Sequence, residues 1–407
     1  MPRLLPPTPA RQLWTLAVLS LLMGFASIST DLYLPAMPAM RAALGASPGT
    51  LDLTVSGFLI GFSLGQLLWG PISDRYGRRL PVTLGLLLFI VGSAGCALAD
   101  SAPALVAWRV LQAAGACVSV VLARAMVRDL YSGAPAARMM STLMTVMAIA
   151  PLIGPSAGGW ILAFGSWRAI FWTLAGIGVL TLAALWTLPE TLPAQRRTRE
   201  PLRRALARYG ALLGQPRLLG YLGVGGFFYG GMYAYVAGTP FAYIEVHHVS
   251  PQHYGLLFGL GIVGIMGANL LNARLVGRFG GDRLMRAGAV GAALAGVAAA
   301  LAAGTGWGGL TGLLLALFFF VSCTGFIVAN AITGALDDEP AAAGAVSALV
   351  GATQYGTGIL GSAAVGLLAD GTAAPMGWVI AVFGIASALS AAWLVGSRAG
   401  VAPVPAR

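Results

Sequence analysis

The stretch Gly70-Pro71-Ile72-Ser73-Asp74-Arg75-Tyr76-Gly77-Arg78-Arg79 decides how this chain is read. It lies between two apolar runs and carries one acid beside three arginines. Gly and Pro are suited to reverse the chain, and the arginines are suited to stay in water. Asp74 has arginine partners close by. The stretch therefore reads as a tight connection between two membrane-crossing helices. Part of it recurs 203 residues later, where Arg278-Phe279-Gly280 matches Arg75-Tyr76-Gly77. At the same offset Gly61 meets Gly264, Gln66 meets Asn269, and Leu67-Leu68 meets Leu270-Leu271. Parallel repeats of six helices are a known transporter plan, with the substrate site between the halves near the middle of the membrane.

Composition supports the membrane reading. Of 407 residues, 58% are hydrophobic and 9% are charged, against roughly 25% charged in a soluble domain. Mean hydropathy is +0.83. So few charges cannot cover a soluble protein of this size, and disorder or a disulfide scaffold is equally excluded. The net charge of +11 comes entirely from 24 arginines, with no lysine. In the loop assignment below, all but Arg41, Arg168 and Arg109 fall on one side of the membrane. That is the positive-inside pattern and no nucleic-acid surface. Cys96, Cys117 and Cys323 sit in apolar stretches without metal or redox spacing and read as small buried hydrophobes.

Apolar runs bounded by Arg, Pro and Gly predict an all-α polytopic protein with twelve spans, near 12–38, 50–71, 80–99, 103–125, 138–163 and 168–188, then 217–243, 253–275, 284–303, 308–332, 342–368 and 375–396. The expected organisation is a six-helix bundle over 1–188, a linker over 189–216 and a second six-helix bundle over 217–407. The linker holds Arg196, Arg197, Arg199, Arg203, Arg204 and Arg208; 200–213 reads as a basic amphipathic helix or a solvated connection. Both termini are expected in the cytoplasm. Arg3 and Arg11 precede a first span that carries no cleavage site, so it is expected to remain.

Several polar positions inside the spans stand out. Asp31, in Ser29-Thr30-Asp31-Leu32-Tyr33-Leu34-Pro35, is a functional candidate, because an acid in a span costs roughly 2.5–3.5 kcal/mol even on the lenient insertion scale. Arg109, in Trp108-Arg109-Val110-Leu111-Gln112-Ala113-Ala114-Gly115, is the other charge placed well inside the first half. The two are expected to meet, with Asp31 exchanging protons against substrate and Arg109 tuning it; the alternative is a static ion pair. Pro151 and Pro155 bend the fifth span, and Gly154 and Gly158 form a small-residue face for close helix approach. Tyr229 and Tyr233, one turn apart in the seventh span, suit amphipathic ligands, or else core or lipid-facing packing. Met140, Met144 and Met147 form a helical stripe open to a cavity or a packing role. Asn269, Asn330 and Gln354 line a cavity or bridge helices. His247, His248 and His253 match no defined metal spacing. No phosphate loop, HExxH or nucleophile elbow is present, so neither ATP-driven transport nor a membrane enzyme is expected, and no cofactor beyond the proton as coupling ion.

The 70–79 stretch resembles the major facilitator superfamily (MFS), matching its motif G-x-x-x-D-R-x-G-R-[RK] at every defining position. The resemblance implies the MFS fold and a conformational latch built from Gly70, Asp74, Arg75, Gly77, Arg78 and an acid at the end of the fourth span, here Asp129. Pro151, Gly154, Pro155, Gly158 and Gly159 resemble the superfamily's antiporter motif G-P-x-x-G-G, which implies export. Arg109-x-x-Gln112 resembles its R-x-x-Q-G motif, with Ala113 in place of the first Gly, which puts close packing there in question. Asp31 to Pro35, Gly238 to Glu245 and Ser250 to Gly255 look like the Bcr/CflA-type subgroup of drug exporters, associated with bicyclomycin and chloramphenicol resistance. The resemblance implies a proton-coupled antiporter of small amphipathic drugs in the bacterial inner membrane, contacting substrate, protons and lipid but no nucleic acid, and acting as a monomer. Its substrate residues would be Asp31, Gln112, Met144, Met147, Tyr229, Tyr233, Asn330 and Gln354. Other readings are a metabolite exporter or a proton-coupled nutrient symporter.

Overall fold

The computed structural model of the chain describes residues 9–396 apart from 48, 132, 199–201 and 340–341. Arg3 and Arg199 lie outside the described residues, as do the side chains of Arg11, Arg203 and Arg204. The described residues are helical throughout, with no strand among them. Helix α1 (Pro9–Asp31) leads through a 3-10 turn (Leu34–Ala36) into α2 (Met37–Leu44). Then come α3 (Leu53–Tyr76), α4 (Arg79–Ala97), α5 (Ala102–Leu130), α6 (Gly133–Phe164) and α7 (Trp167–Trp186). A short α8 (Leu202–Leu212) precedes α9 (Pro216–Pro240), α10 (Pro251–Phe279) and α11 (Gly281–Thr305). The chain closes with α12 (Gly309–Ser322), α13 (Thr324–Asp338), α14 (Ala343–Leu367) and α15 (Ala374–Gly396).

These helices occupy the twelve spans read from the sequence, with two spans divided. The first breaks after Asp31, where Pro35 and Pro38 remove backbone donors. The tenth becomes α12 and α13, separated at Cys323. Among the described residues, ten candidate spans are apolar and long enough to cross a bilayer by length and composition alone. The two long helices outside that set, α9 and α14, are rich in Gly, and α9 carries four Tyr. They pack against each other and, for α14, against α3, so they face protein more than lipid. The outer surface carries exposed leucines such as Leu84, Leu87, Leu180, Leu294 and Leu301. Exposed tryptophans mark its two ends, Trp14, Trp186 and Trp393 at the arginine-rich end and Trp160, Trp307 and Trp378 at the other.

Helices before Thr187 pack mainly among themselves, and those after Gln215 do likewise. The two groups meet chiefly where α3 lies against α14 and α6 against α10. The 203-residue repeat has a structural counterpart. A Cβ on Gly61 would lie 2.1 Å from the Val110 carbonyl of α5, and one on Gly264 would lie 2.2 Å from Ser322 Oγ of α12. Each glycine therefore lets its helix approach the neighbour more closely than any side chain would permit. The first match also explains the tolerated Ala113. Its Cβ would lie only 3.0 Å from a Cβ on Gly61, so the missing glycine of one helix is supplied by the other.

The 70–79 stretch corrects the sequence reading in one respect. Gly70 and Pro71 do not reverse the chain; α3 runs through both and ends at Tyr76. Reversal falls to Gly77, at φ +93°, and Gly280 at φ +80° does the same after α10. Each amide donates to a carbonyl four residues back, Gly77 to Ser73 and Gly280 to Val276, both at 2.9 Å. Near φ +90° with extended ψ, only glycine avoids a steric penalty.

Candidate functional site

Three groups of residues occupy the contact between the helix groups and its two ends. The central one is built around Asp31, which is buried at the end of α1. Its Oδ1 accepts a hydrogen bond from Thr30 Oγ1 at 3.1 Å. Helix α6 reaches it because its motif glycines carry no side chains. A Cβ on Gly154 would meet Asp31 Cβ at 3.1 Å, and one on Gly158 would sit 1.8 Å from the Leu32 carbonyl oxygen. Gly159 faces α10 instead, where a Cβ on it would lie 2.6 Å from the Pro251 carbonyl oxygen. Pro151 and Pro155 lie inside α6. The motif thus seats α6 against both the end of α1 and the start of α10.

Arg109 is fully buried and forms no ion pair with Asp31. It donates to the Ser29 carbonyl at 2.9 Å and to Gln112 Oε1 at 2.6 Å. Its guanidinium lies 4.2 Å from the Tyr33 ring centre and 4.4 Å from that of Phe58. Gln112 in turn donates to Ser93 Oγ at 2.8 Å. The expected meeting of Asp31 and Arg109 is therefore not a direct one. Stacking and a carbonyl hold the cation where the pair was expected to hold it. Arg109 Nε and Nη2 are buried without hydrogen-bond partners. Gln112 has no exposed surface in this conformation and positions Arg109.

Beside Asp31 the second helix group contributes an aromatic cluster. Tyr229 and Tyr233 have ring centres 6.1 Å apart, and Tyr355 of α14 lies 6.4 and 6.0 Å from them. Phe62 of α3 closes the cluster, 4.5 Å from Tyr355. Tyr355 escaped the sequence reading, which singled out its neighbour Gln354. The helical register puts Gln354 in the core, with Nε2 unpartnered, and turns Tyr355 toward the cluster. Asn330 donates to Asn272 Oδ1 at 2.8 Å and so bridges α13 to α10. Asn269 is exposed. Met144 is 39% exposed, whereas Met140 and Met147 pack against the core.

At the arginine-rich end, Arg78 gathers the charges. Its Nη1 lies 2.5 Å from Asp74 Oδ1 and 2.7 Å from Ser73 Oγ, and its Nε lies 2.8 Å from Asp129 Oδ2. Thr191 Oγ1 also donates to Asp129, at 3.2 Å. Glu190, absent from the sequence reading, accepts from the amides of Arg78 (2.8 Å), Arg79 (3.1 Å) and Leu192 (3.0 Å). It caps the start of α4 from a loop more than a hundred residues away. Burial alone would raise the Glu190 carboxyl, but these three amides and Arg197 outweigh it and hold the group below the ordinary glutamate range. Arg75 takes no part; it stacks on its own Tyr76, 5.6 Å from the ring centre. A Cβ on Gly70 would touch nothing, and Gly70 borders a cavity.

The opposite end is closed. Arg41 of α2 pairs with Glu245 beyond α9, Ser56 and Ser362 hydroxyls lie 2.8 Å apart, and a Cβ on Gly49 would strike the Gly366 carbonyl. Asp52 sits beside the Arg41–Glu245 pair; burial pushes its carboxyl up to about 7, opposed by Arg41 and reinforced by Glu245. At the arginine-rich end a cavity of about 330 Å³ remains between α3, α5, α8 and the start of α14. It is lined by Gln66, Asp74, Arg78, Arg124, Arg128 and Arg208 among others. Arg124 lies well inside α5, so Asp31 and Arg109 are not the only charges within the first half.

Helix order, matched glycines and a charge-gathering turn define a transporter of the twelve-helix, two-repeat class. The chain matches the Major Facilitator Superfamily over residues 19–362 and belongs to that superfamily. It is 34% identical over 401 residues to the "Uncharacterized MFS-type transporter YdgK" of Bacillus subtilis, covering 97% of this chain and 98% of that protein. It is 33% identical over 374 residues to the "Bicyclomycin resistance protein homolog" of Haemophilus influenzae, covering 89% and 90%. Such relatives place it with the Bcr/CflA-type subgroup. In fold it resembles a partially occluded, inward-open xylose transporter of E. coli, with TM-score 0.70 and 18% identity over 93% of this chain and 96% of that one. It is a multi-pass membrane transporter and not an enzyme.

Proposed function

We propose that the protein is a proton-coupled antiporter that exports small amphipathic drugs across the bacterial inner membrane by alternating access. The observation that carries this reading is Asp31, a buried carboxyl with no cation bonded to it, placed between the antiporter-motif face of α6 and the tyrosines of the second helix group. A carboxyl that is neither solvated nor ion-paired responds strongly to any charge or proton that enters its surroundings. In this scheme substrate enters from the arginine-rich end, taken as cytoplasmic by the positive-inside pattern. It settles against Tyr229, Tyr233 and Tyr355. A proton arriving from the other side neutralises Asp31 and releases it. The Arg78 cluster stabilises one conformation and is remade in each cycle. The bicyclomycin-resistance relative supports a drug as cargo.

The test is growth of an efflux-deficient bacterium on bicyclomycin, amphenicols, tetracyclines, sulfonamides and cationic dyes, with wild type and Asp31→Asn expressed to equal levels. Protection by wild type that the Asn variant loses is the expected result. Protection retained by the variant would remove Asp31 from coupling. No protection from well-expressed wild type would overturn drug export in favour of a metabolite cargo.

A further inference from the structure

Arg124 is a charge that the efflux scheme above leaves without a task. It projects from α5, three turns beyond the Gln112 network, and is partly buried. Its one hydrogen bond runs from Nε to the Val120 carbonyl of its own helix, at 3.3 Å. Among the described residues no carboxylate pairs with it. Arg78, lining the same cavity, is by contrast neutralised by Asp74 and Asp129. Arg128 and Arg208 add further exposed cations to the cavity wall, and Asp74 is the one acid among the described residues that line it.

The cavity adjoins the aromatic cluster along α3, where Gln66 lines the cavity and Phe62, one turn away, packs on Tyr355. A ligand entering from the arginine-rich end would thus meet a guanidinium first and a set of aromatic rings immediately beyond it. A planar guanidinium with both terminal amino groups available matches a carboxylate through two parallel hydrogen bonds. The tyrosines and Phe62 offer faces for an aryl body, with hydroxyl tips for its polar edges.

We propose that Arg124 is a specificity-determining residue and that the cavity selects aryl compounds bearing a carboxylate, zwitterions included. This rests on the efflux reading and names its substrate class. Arg124 would hold the carboxylate while the aryl group stacks on Tyr229 and Tyr355.

The test is binding to the purified full-length transporter, using the environment-sensitive probe dansylglycine and its primary amide. A charge-assisted pair absent from the amide should make the carboxylate bind about tenfold tighter or more. Arg124→Gln should erase that preference and leave amide binding unchanged. Arg124→Lys and Arg128→Gln should each keep part of it, and Arg274→Gln, exposed and outside the cavity, should keep all of it. The proposal is overturned if wild type binds the two probes equally or binds neither. It is also overturned if Arg124→Gln retains the preference, or loses both probes with an unchanged melting temperature. Should Arg124→Gln not fold, a preference fully retained by Arg124→Lys and lost in Arg128→Gln overturns it as well. Absence of drug protection in cells would count against efflux alone and leave this measurement intact.

Discussion

The turn after α3 and the turn after α10 share a backbone and differ in their charges. Both end a long helix with Arg-aromatic-Gly, both place the glycine at positive φ, and both stack the arginine on the adjacent ring. After α3 the next residue is Arg78, which binds Asp74, Asp129 and Ser73 and is itself held by Glu190. After α10 the corresponding residue is Gly281. Charge there moves to a looser set: Tyr221 donates to Asp282 at 3.0 Å, and Arg217 pairs with Asp338 at 3.0 Å. The comparison teaches that the repeat conserves the geometry of reversal, while the charges gather on the turn's own Arg78 in one copy and around Arg217 of α9 in the other. Two functions that look like one motif in sequence are separable: the glycine turns the chain, and Arg78 ties four segments together.

The largest effect should follow from breaking that cluster. Arg78→Ala leaves Asp129 partly buried without its cation, a loss of roughly 3 kcal/mol or more by the usual cost of orphaning a buried charge. Thermal unfolding in detergent should fall clearly, and transport should fall with it. Tyr221→Phe, the matching cut in the second turn, should cost about 1 kcal/mol, the worth of one ordinary hydrogen bond. Equal losses from the two variants would erase the asymmetry.

Next come the glycines. Gly77→Ala and Gly280→Ala should each cost roughly 1–3 kcal/mol for a side chain at positive φ with extended ψ. Gly77→Ala should cost more, because its Cβ would lie 2.6 Å from Glu190 Oε2, whereas a Cβ on Gly280 would meet nothing within 4 Å. Comparing the melting temperatures of the two variants checks this.

The smallest effect is a pH dependence confined to the first turn. Glu190 has its carboxyl lowered in the folded state, so its contribution is present above the unfolded value of 4.5 and is lost as pH falls through the lower folded value. Hydrogen exchange at the Arg78 and Arg79 amides, corrected for intrinsic rates, should lose protection in that acid range. The Gly280 and Leu284 amides, bonded to backbone carbonyls, should not. Glu190→Gln should make the first turn insensitive to pH.

Much of this was legible in the order of residues. Twelve apolar runs, arginines on one side and the Gly77/Gly280 repeat set the fold class, because lipid requires each span to satisfy its own backbone and so writes helix length directly into composition. Pro71 misled as to where the chain turns, since a proline in a helix and a proline in a turn look alike without the neighbouring register. Asp31 stood out because a charge in an apolar run is costly wherever it points. Its partner did not follow from that cost: Arg109 satisfies itself with Ser29, Gln112 and two rings, and only packing could decide among those contacts.

The sequence by itself determined which residues had to be helical, which end collects arginine and which positions could carry chemistry, because each is a local property of composition and spacing. The tertiary structure alone decided that Glu190 caps α4, that Tyr355 rather than Gln354 joins Tyr229 and Tyr233, and that Arg124 lines a cavity. Those relations depend on helix rotation and on contacts between residues more than a hundred positions apart, and a side chain's environment is fixed only when the surfaces of several helices have been brought together.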